Sequence, residues 1–104
     1  MLQRRQAVAN LPVAFTLGQN QPNPSRVKTS IKFALPVRSH VLLAVFDVNG
    51  RRIRNLTNDE WAAGYHTLDW DGRNTVGQKV GGGIYLYRME AGSFRSSRKV
   101  VVLP

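Results

Sequence analysis

The chain has 104 residues, which suffices for one small domain with a single hydrophobic core. The absence of cysteine excludes a disulfide-stapled scaffold, and no apolar run approaches the roughly 20 residues of a membrane span, so no transmembrane segment is expected. Fifteen Lys and Arg against six Asp and Glu give a net charge of +9, which favours contact with polyanions.

The basic residues are scattered along the chain, with small groups at 51–54 and 95–99. Such short groups are weak motifs for nucleic-acid binding. We therefore interpret them as the solvated face of a β-sheet, whose charged edges discourage edge-to-edge pairing, and expect no specific nucleic-acid partner.

Residues 1–14 lack a sustained hydrophobic period and contain the breaker Pro12. We predict a linker or an irregular lead-in there, and one folded domain over residues 15–104. The first residues are basic, but Asn10 and Pro12 interrupt the apolar segment that a signal peptide would have after them. No signal peptide is therefore expected. The chain is then either cytoplasmic or a piece of a longer exported protein.

The first predicted elements surround a proline-rich stretch. Phe15 and Leu17 alternate and indicate either a short edge strand or a plug at one end of the core. Residues 20–25 contain two prolines and cannot form a helix or a central strand. Asn23 can close an Asx turn there. Residues 30–35 alternate apolar and polar side chains and predict a half-buried strand that ends at a proline.

A β-hairpin is predicted next. Residues 41–48 are apolar on both faces, which is typical of a central strand covered on both sides. Asn49 and Gly50 predict a two-residue type I′ turn with positive φ at both positions. Residues 51–56 then form the return strand, and residues 57–63 are expected to be a connection in which Trp61 caps the core.

The rest of the chain reads as three more strands. Residues 64–70 place His66, Leu68 and Trp70 on one face, and Asp71 with Gly72 provides turn chemistry after them. Strands are also predicted at 83–90 and 94–103. With turn signals every eight to twelve residues and no helical period, the pattern predicts an all-β fold, an antiparallel β-sandwich of about seven short strands.

The sequence contains few residue patterns that are typical of catalytic or metal-binding sites. The two histidines, His40 and His66, do not have the spacing of a local metal pair, and His66 is interpreted as a structural residue. Asp69 and Asp71 lack the distal glutamate of a calcium loop. The glycines at 77–83 lack the Gly-Lys-Ser/Thr signature of a phosphate loop. We expect no catalytic residue, no metal and no cofactor.

Seven segments, taken in their order and spacing, carry a family resemblance. They are residues 17–24, 29–36, 41–50, 63–66, 70–72, 83–88 and 98–102, and they extend over nearly all of residues 15–104. The chain resembles the Ig-like type A C-terminal sorting domain of the type IX secretion system, found in exported proteins of the Bacteroidetes and related phyla. It is also similar to the Ig-like domain of the flagellar hook-capping protein.

The resemblance implies an Ig-like sandwich that ends a larger exported enzyme or adhesin and itself catalyses nothing. It implies recognition in the periplasm by the outer-membrane secretion machinery, removal by a sortase-like peptidase that cuts in the linker, and a secreted or cell-surface destination. It further implies attachment of the cargo to anionic lipopolysaccharide.

The resemblance also assigns residues. The terminal strand carries much of the family's signal, so the candidate recognition residues are Arg98, Lys99, Val100, Val101 and Val102. The residues interpreted as architectural are Asn20, Pro22, Asn23, Pro24, Asn49, Gly50, His66, Trp70, Asp71, Gly72, Gly83, Tyr85 and Tyr87. An ordinary amphipathic edge strand would show the same pattern at 98–102.

Two other functions remain open. One is a structural Ig-like module that binds neighbouring domains or subunits, as in hook capping or a surface appendage. The weaker one is a carbohydrate-binding module, in which Trp61 and Tyr65 stack on sugar rings.

Overall fold

The computed structural model describes residues 10–104 and contains seven β-strands in two antiparallel sheets. The strands are β1 Thr16–Leu17, β2 Thr29–Leu35, β3 Ser39–Asp47, β4 Arg52–Trp61, β5 Gly64–Trp70, β6 Gly83–Ala91 and β7 Phe94–Val102. One sheet has the order β1-β2-β5, the other β4-β3-β6-β7. The described residues contain no helix. The predicted all-β, Ig-like sandwich of about seven strands is confirmed.

The core lies between the two sheets and is built by period-two alternation. Each strand turns every second side chain inward, so the two inner faces meet. Burying one large apolar side chain contributes about 1.5–3 kcal/mol. The buried apolar residues that face the core are Ile31, Phe33 and Leu35 in β2, Val41, Leu43 and Val45 in β3, Tyr87, Met89 and Ala91 in β6, and Val100 and Val102 in β7.

Strand β3 is central in its sheet, as its two apolar faces predict. Val41, Leu43 and Val45 face the core and are fully buried. On the other face Ala44 is buried and Phe46 is half-buried. The guanidinium of Arg88 lies 4.6 Å from the centre of the Phe46 ring, and this cation–π contact covers part of the outer face.

The loop between β3 and β4 differs from the predicted type I′ turn, and that prediction is wrong. Gly50 has a φ of +83°, but Asn49 does not have a positive φ. The Gly50 N–H donates to the carbonyl of Asp47 at 3.0 Å, and the Asp47 N–H donates to the carbonyl of Arg51 at 2.9 Å. The loop therefore has three residues, 48–50, with glycine at the left-handed position, which is the next most common hairpin type.

Strand β4 is longer than predicted. It continues to Trp61, so the expected connection over residues 57–63 is wrong. The pairing with β3 shifts register twice, leaving Ile53 and Leu56 as the extra residues of two bulges. Both side chains pack against the core although they lie three positions apart. The bulges explain why simple alternation failed here, because an extra residue changes the face that follows.

Residues 10–14, the described part of the predicted lead-in, contain no strand. The remainder of that segment, residues 1–9, lies outside the described residues. The prediction of a linker over residues 1–14 remains a prediction.

Candidate functional site

The terminal strand β7 divides its candidate residues between core and surface. Val100 and Val102 face inward and are buried, at 1% and 7% exposure. Lys99 is exposed and Val101 is half-buried on the outer face of the sheet. Because successive side chains of a strand point to opposite faces, only Lys99 and Val101 of these four offer side chains to a partner of the folded domain.

The proline-rich segment, residues 19–25, lies along the open edge of β7. The Val101 N–H donates to Oδ1 of Asn23 at 3.0 Å. The Ser25 N–H donates to the carbonyl of Val101, and the Leu103 N–H donates to the carbonyl of Ser25, both at 2.8 Å. Gln19 Nε2 donates to the carbonyl of Lys99 at 2.9 Å. This segment therefore covers the β7 edge over residues 99–103.

Asn20 is buried inside the proline-rich segment and stabilises its conformation through hydrogen bonds. Its side chain is 1% exposed, and Nδ2 donates to the Thr29 hydroxyl at 2.9 Å and to the carbonyl of Pro22 at 3.2 Å. The Thr29 hydroxyl donates to the same carbonyl at 2.8 Å. The peptide bonds before Pro22 and Pro24 are cis. A buried amide must have partners, and the Pro22 carbonyl and the Thr29 hydroxyl supply them for Asn20 within this segment.

Arg98 and Tyr87 attach β1 to the opposite sheet. Arg98 Nε donates to the carbonyl of Leu17 at 2.9 Å, and the Tyr87 hydroxyl donates to the carbonyl of Gly18 at 2.7 Å. Burial raises the pKa of Tyr87 above its ordinary value, so its hydroxyl keeps its proton. Arg98, a candidate recognition residue, thus also serves the fold.

The segment from Trp70 to Gly72 closes the other end of β5. The Trp70 indole is buried, donates to the carbonyl of Arg73 at 3.0 Å and packs edge-on against Tyr85 with ring centres 5.7 Å apart. Asp71 Oδ1 accepts from the Arg73 N–H at 3.1 Å and from Arg54 Nη1 at 2.9 Å. Asp71 therefore joins this turn to β4.

Two glycines flank the loop between β5 and β6. Gly72 has a φ of +73° and Gly83 a φ of +155°. The hydroxyl of Tyr85 donates to the carbonyl of Gly81 at 2.7 Å, which ties β6 to the same loop. Burial raises the pKa of Tyr85, and the nearby Asp47 carboxylate adds to that rise.

His66 belongs to an aromatic cluster at the crossing from β4 to β5. Its ring lies 4.9 Å from Trp61 and 5.3 Å from Phe33, and its Nε2 donates to the carbonyl of Ala62 at 2.7 Å. The cluster packs the end of β4 over β2. Among residues 10–104 no group of three His, Cys, Asp or Glu side chains is placed to hold a metal ion.

Trp61 and Tyr65 do not form a shared platform. Trp61 packs on Phe33 and His66, toward the core, whereas Tyr65 alternates with His66 along β5 and is 71% exposed on the outer face. Sugar-stacking residues need to present neighbouring rings on one solvent face, which this geometry does not provide.

Most of the acidic residues in the described part are engaged by bases. The pairs join Asp47 to Arg51, Asp69 to Lys28, Asp71 to Arg54, Glu60 to Arg38, and Glu90 to Arg88 and Arg95. These pairs are at the surface, where each contributes little. No helix within residues 10–104 could cross a membrane.

Comparisons with known proteins agree with this architecture. No curated protein sequence matches the chain at a significant level. The dimeric latent PorU of Porphyromonas gingivalis superposes with a TM-score of 0.69 at 19% identity, over 88% of this chain and 10% of PorU. PorZ, an essential bacterial surface component of the type-IX secretion system of P. gingivalis, superposes with a TM-score of 0.58 at 15% identity, over 88% of this chain and 12% of PorZ.

The third comparison links the fold to a family. FlgD from P. aeruginosa superposes with a TM-score of 0.57 at 23% identity, over 71% of this chain and 58% of FlgD. The chain thus spans about a tenth of PorU and less than two thirds of FlgD. The model of the FlgD Ig-like domain matches residues 20–93, well over half of the chain. The chain therefore belongs to the FlgD Ig-like domain family.

Proposed function

We propose that this domain is a non-catalytic sorting domain that directs a longer exported protein through the type IX secretion system to the cell surface. The observation that carries the proposal is the contact between residues 19–25 and β7, because two of the segments that resemble sorting domains form one surface there. The shared fold with part of PorZ, a surface component of that system, supports it.

The recognised surface, on this proposal, is the outer flank of β7. Lys99 supplies a positive charge, and Val101 supplies an apolar contact beside it. Val100 and Val102 act indirectly, since they hold the strand on the core. Arg98 acts partly through Leu17, so a loss of sorting in an Arg98 variant would mix recognition with stability.

The partners follow from the same proposal. The outer-membrane secretion machinery binds the folded domain in the periplasm, and a sortase-like peptidase cuts in the linker before residue 15. The cargo is then released or attached to anionic lipopolysaccharide. The domain needs no cofactor for this role, and its net charge of +9 favours an approach to an anionic surface.

The experiment fuses residues 1–104 to the C-terminus of an exported reporter in a bacterium with a type IX system. Deletion of the last strand is a poor test, because it removes Val100 and Val102 from the core. We therefore choose the double variant Lys99→Glu and Val101→Asp, which changes only outward side chains. The wild-type fusion should reach the surface, and the double variant should stay in the periplasm.

A matched control lies on the same face of the same strand. Arg95→Glu with Ser97→Asp makes the same change of charge four residues earlier, and the surface pair with Glu90 that it removes contributes little, so this control should sort normally. A wild-type fusion that remains periplasmic defeats the sorting proposal. Surface delivery of both double variants instead rejects β7 as the recognised element.

A second candidate function is a structural module that binds neighbouring subunits. The family match and the likeness to 58% of FlgD favour it. It predicts a stable interface with another part of the same assembly and no proteolytic release. The reporter fusion separates the two candidates, because a structural module would remain uncut and would not carry the reporter to the surface.

A further inference from the structure

Strand β5 is an open edge whose backbone direction can be deduced from its neighbour β2. Ser30 and Lys32 of β2 bond to Gln21 and Gly18, on the β1 side. Backbone groups alternate in direction along a strand, so residues 29, 31, 33 and 35 point toward β5. Their partners in β5 are residues 70, 68, 66 and 64. The N–H and C=O groups of Tyr65, Thr67 and Asp69 therefore point outward.

Nothing within residues 10–104 bonds to these outward groups. Tyr65, Thr67 and Asp69 make no backbone hydrogen bond outside the β2 ladder there, and β5 is the end strand of its sheet. The pairing of β5 with β2 runs over seven residues without a register shift. A regular row of unpaired donors and acceptors is a template for another strand.

The other three sheet edges are protected. Residues 19–25 cover β7, and β1 has only two residues. Strand β4 has two bulges and carries charged residues, among them Asp59 and Glu60. Bulges, charges and short length are the usual means of blocking strand addition. Within the described fold, β5 alone is an uncovered end strand of seven residues without a bulge, and Asp69 is its one acidic residue.

We propose that β5 pairs antiparallel with β5 of a second copy of this chain, about a twofold axis at Thr67. In this register Thr67 lies opposite Thr67, and Tyr65 lies opposite Asp69 of the second copy. Each of these pairs exchanges two hydrogen bonds, as residues with facing backbone groups do. The two three-stranded sheets become one sheet of six strands.

The register is self-complementary in its side chains as well. On the outer face a Thr–Thr pair lies at the centre, which is a favourable cross-strand contact. On the inner face His66 lies opposite Leu68. No like charges face each other, and the one carboxylate, Asp69, already accepts from the Ser30 hydroxyl at 2.6 Å and lies 3.6 Å from Lys28. The pairing is independent of the sorting proposal.

The net charge of +9 opposes association of two copies. Salt screens this repulsion, so the dimer should strengthen as ionic strength rises. An association driven by an anionic contaminant would weaken instead. The salt dependence thus separates β5 pairing from binding through the basic surface.

Sedimentation equilibrium of the full chain, from about 10 µM to 1 mM, tests the proposal. We expect a reversible monomer–dimer equilibrium. Thr67→Pro removes one outward N–H without touching the β2 ladder, and Thr67→Lys sets two lysines against each other on the axis. Each should weaken dimerisation at least about tenfold. Val76→Lys, which adds the same charge at an exposed loop position, should not.

Amide hydrogen exchange gives a second readout. The amides of Tyr65, Thr67 and Asp69 should gain protection as concentration rises, while His66 and Leu68, bonded to β2, stay protected throughout. Circular dichroism confirms that each variant folds. A chain that is monomeric at every concentration overturns the proposal. So does a dimer that both Thr67 variants leave intact, or protection of the three amides that does not depend on concentration.

Discussion

Arg98 Nε donates a hydrogen bond to the backbone carbonyl of Leu17 at 2.9 Å, across 81 positions of sequence. The Tyr87 hydroxyl makes the equivalent bond to the carbonyl of Gly18. Strand β1 has only two residues and pairs with β2, in the other sheet. Two side chains therefore tie β1 and the residue after it to the opposite sheet, beside the backbone bonds that residues 19–25 make to β7.

We expect Arg98→Ala to destabilise the domain by about 1 kcal/mol, since it removes a hydrogen bond from a charged donor to a partly buried carbonyl. Lys99→Ala is the matched control, because its side chain points to solvent on the other face, and it should change stability by less than about 0.5 kcal/mol. Urea unfolding measures both. Equal effects would show that the Arg98 contact contributes nothing specific.

Asn20→Ala should cost about 2–3 kcal/mol, because it removes a buried amide and leaves its partners unsatisfied. Asn23→Ala removes one bond at the solvent-facing edge and should cost at most about 1 kcal/mol. It should, however, accelerate exchange of the Val101 amide, whose N–H donates a hydrogen bond to Oδ1 of Asn23. Urea unfolding and residue-level exchange test the pair. A larger loss from Asn23→Ala would mean that edge cover outweighs the buried network.

The period-two alternation predicted β2, β3, β5 and β6 to within two residues, and β5 at its observed bounds, Gly64–Trp70. Those strands are regular and bury one face against the core, so their apolar residues recur at every second position, which is also the period of a strand. Strand β4 failed because its bulges at Ile53 and Leu56 depend on the register with β3. Local sequence does not contain that register.

The site was less predictable than the fold. The prolines at 22 and 24 excluded regular structure, but nothing local in the sequence indicated that Asn23 and Gln19 bond to β7 nearly 80 residues later. Such contacts depend on which strand lies beside the loop. Alternation places Val100 and Val102 on one face of the strand, but three consecutive valines at 100–102 do not show which face is buried.

Acidification should destabilise the domain through Asp47 and Asp69. The Arg51 backbone N–H, above all, lowers the pKa of Asp47, and the Ser30 hydroxyl lowers that of Asp69. A carboxyl group whose pKa is lower in the folded state stabilises above its ordinary pKa, near 3.8, and loses this contribution as pH falls through the folded pKa. Stability should therefore fall below about pH 4.

The double variant Asp47→Asn with Asp69→Asn should lose part of this pH dependence, and its stability should approach that of the wild type at the lowest pH measured. Urea midpoints between pH 7 and pH 2 measure it. Asp59→Asn is the control, since the Asp59 carboxylate accepts only from its neighbour Glu60 among the described contacts. A double variant that follows the wild-type profile throughout would exclude these two carboxylates as the cause.

The β3–β4 loop gives a prediction that separates its two turn residues. Gly50→Ala should cost about 1 kcal/mol, because alanine is strained at a φ of +83°. Asn49→Ala should be nearly neutral, since Asn49 does not have a positive φ. A type I′ turn would instead penalise both changes. Thermal or urea unfolding of the two variants decides between the turns.

Gly82 lies against Pro104, and a Cβ at this position would be 2.8 Å from the Pro104 nitrogen and 2.9 Å from its Cδ. Gly82→Ala should push residues 103–104 away, weaken the bond from the Leu103 N–H to Ser25, and cost about 1–2 kcal/mol. A Cβ at Gly81 meets nothing within 4 Å, so Gly81→Ala is the control.

Urea unfolding and exchange of the Leu103 amide measure both glycine variants. Gly82→Ala should lose stability and Leu103 protection together, because the proline contact and the Ser25 bond hold the same short segment. Gly81→Ala should change neither. If Gly82→Ala keeps Leu103 protected, the chain end is not held by this contact, and the cover of the β7 edge depends on residues 19–25 alone.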